Sequence, residues 1–186
     1  MNPARMLADA ADFFCERLAV VPENAWSNAT PCPGWSVRVV AAHVVNGLAT
    51  IPELLDGGRP DPALRLADHL GADPVAAARN AASAAIDAAN ATGALDVMVT
   101  APAGTMPAPA FITIRAGDVV VHAWDLATGA GIDPTIPSGL VDAMATAYPR
   151  AVIDGGRVAG VFGHAVPIGS DAGPQTTLLA EFGRAG

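Results

Sequence analysis

Cysteine, basic charge and long apolar runs are all scarce in this 186-residue chain, and each shortage removes a class of protein. Two cysteines, Cys15 and Cys32, have neither metal-type spacing nor the density of a secreted scaffold, so reduced thiols are expected. Ten basic residues stand against eighteen acidic ones, giving a net charge of −8 and a sequence pI of about 4.7 with no dense basic block. Such a surface repels phosphate backbones and anionic lipid, which argues against nucleic-acid and membrane partners. No apolar run reaches the ~18 to 20 residues a bilayer span needs. The opening residues, MNPARMLADAADFF, carry acids on an amphipathic period where a signal peptide would have an apolar core, so a cytoplasmic protein is expected. What is abundant is hydrophobic residues, 52% of the chain, enough for a real core in a single domain covering residues 1–186.

The apolar residues recur at helical intervals. Met6, Leu7, Ala10, Phe13, Phe14, Leu18 and Val21 predict an amphipathic helix from Pro3 to Val21. Pro22, Pro31, Pro33 and Gly34 then forbid regular structure, which makes PENAWSNATPCPGW a shaped loop. Ser36 stands where an N-cap belongs before a second helix through Val37, Val40, Ala41, Val44, Val45 and Leu48, with His43 close to its apolar stripe. Pro52 ends or kinks that helix. A short helix is possible between Ala63 and Leu70, with His69 exposed. Asp73 and Pro74 form a start signal for an Ala-rich third helix, Val75 to Ala91, and Gly93 a stop. The stretch Ala94 to Pro109 reads as a connection bending over one end of a bundle, without strands long enough for a sheet. A fourth helix follows over roughly Ala110 to Thr128, then a shorter one capped by Ser138 and running to Tyr148, and a last turn or two from Gln175 to Phe182.

Within the fourth helix, RAGDVVVHAWDLATG places Asp118, His122 and Asp125 four and three residues apart, so their side chains form one polar row. Val119, Val120, Val121, Ala123, Trp124 and Leu126 surround that row and leave almost no solvent-adapted face. Polar groups on a buried helix must be paired, hydrogen-bonded or bound to metal. In a bundle, His43 of the second helix can meet this row, and two imidazoles with one carboxylate make a first shell for a divalent ion with a position left open. The residue types accommodate Zn²⁺, Fe²⁺, Ni²⁺ or Mn²⁺. The spacing is equally compatible with Asp118 and His122 as a plain hydrogen-bonded pair and His43 as a satisfied core histidine, and geometry allows either Asp118 or Asp125 as the carboxylate.

Two blocks, TPCPGWSVRVVAAHVVNG from Thr30 to Gly47 and DVVVHAWDLATG from Asp118 to Gly129, resemble the signature blocks of the mycothiol-dependent maleylpyruvate isomerase N-terminal family, among the DinB/YfiT-like metal-binding bundles. The tail, VFGHAVPIGSDAGPQTTLLAEFGR, is similar to the ending of that family's compact single-domain branch. The resemblance implies an all-α, DinB-like four-helix bundle with irregular loops and a short extra C-terminal helix. It also implies a divalent metal, Zn²⁺ foremost, held by His43, Asp118 and His122, which leaves Asp125 a supporting or helix-packing role. Two departures bear on the transfer: Asp118 stands where characterised members carry Glu, and Val39 replaces an acidic residue after Arg38. The additional C-terminal domain of the two-domain isomerases has no counterpart here, so a substrate other than maleylpyruvate is expected.

The chemistry implied is a metal-assisted thiol reaction, in which a low-molecular-weight thiol such as mycothiol reacts as thiolate with an electrophilic small molecule in S-transfer or isomerisation. The rival functions are a non-catalytic metal-binding module and a metal-dependent hydrolase. Neither Cys15 nor Cys32 is expected to be the nucleophile. Cys32 reads as structural in its Pro-rich turn, although that turn precedes the helix bearing His43 and could face the metal. Trp35 and Trp124 read as core anchors that could alternatively wall a cofactor site, and Arg38 and Arg115 as solvated surface residues that could alternatively clamp a substrate carboxylate. His69 and His164 fall outside both blocks. Flat helical faces of such a bundle could pair as a homodimer.

Overall fold

A computed structural model of the chain describes residues 2–59, 69–101, 104–148, 150–158 and 163–185. It divides into two compact units, Met1–Pro134 and Thr135–Gly186.

The first unit is built on helices α1 (Pro3–Leu18), α2 (Val37–Ala49), α4 (Pro74–Asn90) and α5 (Ala108–Ala130), with a short α3 (Ile51–Leu55) following α2. The long helices close a ring, α1 against α5, α5 against α2, α2 against α4 and α4 against α1, which makes a four-helix bundle. Its centre is lined by Leu7, Phe14 and Leu18 of α1, Leu48 of α2, and Ile112 and Leu126 of α5, all essentially inaccessible to solvent. The caps expected at Ser36 and Asp73 are present, and Asn2 adds one to α1, whereas Ser138 does not cap its helix. Asn2 accepts from the Ala4 amide, Ser36 from Val39 at 3.4 Å, and Asp73 from Ala76 at 2.9 Å, each satisfying an amide that the first helical turn leaves unpaired. Helix α4 turns an alanine stripe, Ala78, Ala81, Ala82, Ala85 and Ala89, inward. The short helix expected between Ala63 and Leu70 lies outside the described residues, apart from an exposed His69 and a buried Leu70.

One connection differs from expectation. Residues 98–107 are not irregular throughout: β1 (Met98–Ala101) and β2 (Gly104–Pro107) pair antiparallel, Met98 opposite Pro107 and Ala101 opposite Gly104. Each strand is only four residues long, too short for alternation to stand out, and Pro107 at the end of β2 is a position where the ladder tolerates a missing amide. Both strands touch α5, and Val99 is buried.

The loop before α2 is tightly stitched. The Thr30 amide donates to the Trp35 carbonyl at 3.1 Å, the Thr30 hydroxyl to the same carbonyl at 2.9 Å, and the Trp35 amide to the Cys32 carbonyl at 3.1 Å, with Gly34 in the left-handed region at φ 78°. Asn28 Nδ2 ties the loop to α5 through the Gly129 carbonyl at 3.2 Å. At Gly129 the approach is close: a Cβ there would lie 2.8 Å from Thr30 Cγ2, 2.9 Å from the Ala29 carbonyl oxygen and 3.1 Å from Val37 Cγ2.

The second unit holds α6 (Ser138–Ala147), α7 (Arg150–Val158) and α8 (Pro174–Glu181), α6 packing on α8. Tyr148 and Phe182 meet edge to face at 5.4 Å, and Gln175 Oε1 accepts from the Ile136 amide at 2.8 Å. Ser138 is the first residue of α6, and Pro137 occupies the cap position. Helix α7 was hidden in the sequence by Gly155 and Gly156; Arg157 pairs with Asp154 at 2.8 Å and with Glu181 at 2.7 Å. Among the described residues no helix is long and apolar enough to cross a membrane.

Gly129→Ala must push the 28–37 loop away from α5, and overpacking of this kind costs about 1 to 3 kcal/mol. Urea unfolding should give a lower midpoint for the variant with an unchanged slope.

Candidate metal centre

Helix α5 has no solvated face. Fifteen of its twenty-three residues are buried, including His122 and Asp125, as the apolar surroundings of the polar row predict. Asp118 lies one turn before His122 with its side chain 27% exposed, and His43 approaches from α2 at 14%. His43 Nε2 is 3.4 Å from Asp118 Oδ2, and His122 Nε2 is 3.5 Å from Asp118 Oδ1. Ligands at ~2.1 Å on a tetrahedral ion stand roughly 3.4 Å from one another. Donor atoms of His43, Asp118 and His122 all lie within 4.8 Å of each other, so the two histidines and the carboxylate do come together. Two imidazole nitrogens and one carboxylate oxygen, partly open to solvent, are a donor set that a divalent ion fits.

Asp125 occupies the other side of the same imidazole. Its carboxylate is wholly buried, and Oδ2 lies 2.9 Å from His122 Nδ1. An ionised carboxylate can only accept, so Nδ1 carries the proton and the Nε2 lone pair is left facing Asp118 and His43. This is the orienting bond typical of a ligating histidine. Cys32, delivered by the stitched loop and half-buried, forms a second group with Asp125 and His122, their donor atoms again within 4.8 Å. The turn therefore faces α5 on the Asp125 side of the imidazole.

Three residues have more defined surroundings than their types suggested. Trp35, read first as a core anchor and second as a wall of a cofactor site, stacks on His122 with ring centroids 5.6 Å apart and planes 21° apart, and also meets His43 at 4.8 Å; the two imidazoles meet edge to face at 4.9 Å. Its position eight residues before His43 in the first block is the signal that it belongs beside the histidines. Arg115, expected on the surface, is drawn in to 22% exposure, where Nη1 donates to Asp118 Oδ2 at 3.0 Å. Its i, i+3 spacing to Asp118 was the legible clue. Arg38 lies over the Trp26 ring, 6.0 Å from its centroid. His69 and His164 are exposed.

The electrostatics centre on Asp118. Burial alone would raise its carboxyl, but the Arg115 guanidinium, the hydrogen bond with His43 and the charges of His122 and His43 outweigh burial and hold it well below the usual carboxylate range. Cys15 is pushed the other way, by burial first and then by the charge of Asp12, which keeps its thiol protonated. It lines a cavity of about 420 Å³ with Asp12, Glu16, Arg79, Ser83 and Asp87, a group that includes none of the clustered histidines.

A profile of the mycothiol maleylpyruvate isomerase N-terminal domain matches residues 7–127, which takes in the first signature block and all but the last two residues of the second. Two uncharacterised proteins of Mycobacterium tuberculosis, one from strain CDC 1551/Oshkosh and one from strain ATCC 25618/H37Rv, are each 32% identical over 140 residues, covering 73% of this chain and 74% of the relative. Among solved structures, the mycothiol-dependent maleylpyruvate isomerase superposes with a TM-score of 0.61, and a histidine-to-alanine mutant of it with 0.62. Both are 20% identical and cover 83% of this chain and 71% of theirs, a likeness of fold.

Two outcomes are expected of the metal-free protein. Asp125→Ala leaves the buried His122 Nδ1 proton without its acceptor and should cost about 1 to 3 kcal/mol in urea unfolding. Because the native Asp118 carboxyl lies below its unfolded value, the unfolded state binds more protons in acid. The stability Asp118 contributes is thus complete above the usual carboxylate range and is lost as pH falls below about 5. Asp118→Asn should flatten that part of the urea-midpoint profile between about pH 5 and 3.

Proposed function

This chain belongs to the mycothiol maleylpyruvate isomerase N-terminal domain family, and from that premise we propose that it is a cytoplasmic, divalent-metal-binding enzyme that transfers or isomerises through a low-molecular-weight thiol. His43, Asp118 and His122 are the proposed ligands, Zn²⁺ the foremost ion, mycothiol the thiol and an electrophilic small molecule its acceptor. The observation that carries this reading is the convergence of His43 Nε2 and His122 Nε2 on the two oxygens of one carboxylate, at 3.4 and 3.5 Å.

A divalent ion held there would lower the pKa of a thiol brought to its open position, so that the thiol reacts as its thiolate. The protein's own groups prepare that chemistry. Asp125 keeps the proton on His122 Nδ1, which fixes the ring and its tautomer. Trp35, packed against both imidazoles, limits their rotation and keeps water from that side. Arg115 compensates the Asp118 charge, so that the centre is not over-neutralised before an anionic thiolate arrives. Cys15, held as a thiol by burial, stays out of the reaction.

Protein purified without added metal should contain about one divalent ion per chain by elemental analysis, and His43→Ala should lose it. Acidification should release the ion, because protons compete with it for its ligands. With metal present, mycothiol and a generic electrophile should be consumed faster than in buffer. Unchanged thiol consumption alongside stoichiometric metal would reassign the protein to a binding module or a hydrolase. No metal in the wild type, and no change on His43→Ala, would remove the centre altogether.

A further inference from the structure

Gly47 lies one turn beyond His43 on the same helix, where α2 packs against α5. A Cβ at this position would lie 2.9 Å from Arg115 Nη1, 3.5 Å from its Cζ and 3.7 Å from its Cδ, so the guanidinium occupies the space that the absent side chain leaves. From that seat Nη1 donates to Asp118 Oδ2 at 3.0 Å. The neighbouring Nε is buried with no hydrogen-bond partner. A cation drawn between two helices with one N–H unsatisfied is not placed there by its own solvation; the carboxylate it grips accounts for the position.

The grip falls on one oxygen. Arg115 and His43 both approach Oδ2, while His122 Nε2 faces Oδ1. We propose that Arg115 is a positioning residue, seated over Gly47, that anchors Oδ2 of Asp118 beside His43 Nε2 and so holds Oδ1 toward His122 Nε2. Position 47 must then be glycine because a side chain there evicts the guanidinium. This deepens the metal reading given above and rests on it. Arg115 is not itself a proposed ligand; it fixes the rotation of the Asp118 carboxylate between the two histidines that would hold the ion with it.

The test is a cobalt titration of the full chain against a competing chelator, with the visible Co²⁺ spectrum as a second readout. Arg115→Gln and Gly47→Ala should each weaken Co²⁺ binding about tenfold and alter the visible bands, as loss of a carboxylate-orienting partner does elsewhere. Gly47→Ala meets only the far end of a flexible side chain and no backbone, so it should fold and lose no more thermal stability than Arg115→Gln does. The decisive variant is the pair: because Gly47→Ala acts by removing Arg115, Gly47→Ala with Arg115→Gln should bind no more weakly than Arg115→Gln alone. Wild-type affinity and spectrum in Arg115→Gln would overturn the proposal, and so would losses that multiply in the double variant. Absence of Co²⁺ binding by the wild type would overturn the metal reading and this inference together, whereas normal wild-type binding with an unaffected Arg115→Gln would overturn this inference alone.

Discussion

A carboxylate on the most buried helix of a bundle has to be compensated, and the surroundings of Asp118 are arranged around that requirement. Removing an ionised group from water costs several kcal/mol unless charge and hydrogen bonds replace the lost hydration. Here Arg115 supplies the charge from the same helix, His122 the next turn of it, and His43 a partner from α2. The last of these can be supplied only if α2 lies beside α5 at the right height. The stitched loop from Asn28 to Ser36 sets that height, and Gly129 lets the loop reach the α5 backbone. Local backbone chemistry thus reaches the centre through the placement of one helix.

His122 is the pivot between two carboxylates of different character. Asp118 is partly open and compensated by a full positive charge; Asp125 is sealed and sits on a ring nitrogen. The sealed one decides where the imidazole proton resides, and so which nitrogen is free to bind. Trp35 adds a rigid aromatic face against both imidazoles, so the donor atoms are fixed by packing as well as by hydrogen bonds.

The bundle helices were legible because each carries its own period and punctuation. Asp73 with Pro74 and Ser36 before Val37 mark starts that the backbone obeys, whereas α5 runs through Gly129, the expected stop, and ends only at Gly131 in the left-handed region. Elements whose stability comes from elsewhere were not legible. The 98–107 hairpin is too short for alternation, and α7 carries two glycines in a helix whose ion pairs involve Glu181 of α8. Arg115 and Trp35 have identities common on surfaces and in cores. Only the neighbours that folding brings to them, Gly47 in one case and a pair of imidazoles in the other, give them their place.

By itself the sequence determined that α5 is buried and that Asp118, His122 and Asp125 share one face, because residue spacing on a helix is a property of the chain alone. It could not decide between the two aspartates, which stand four and three residues from the histidine and are equivalent on that helix. The tertiary structure gives the two different surroundings. His43 arrives on the Nε2 side, where Asp118 lies, while Asp125 is closed in against Nδ1. Which nitrogen of a buried imidazole faces a neighbouring helix depends on how two helices pack, and that is not written in the spacing of either one.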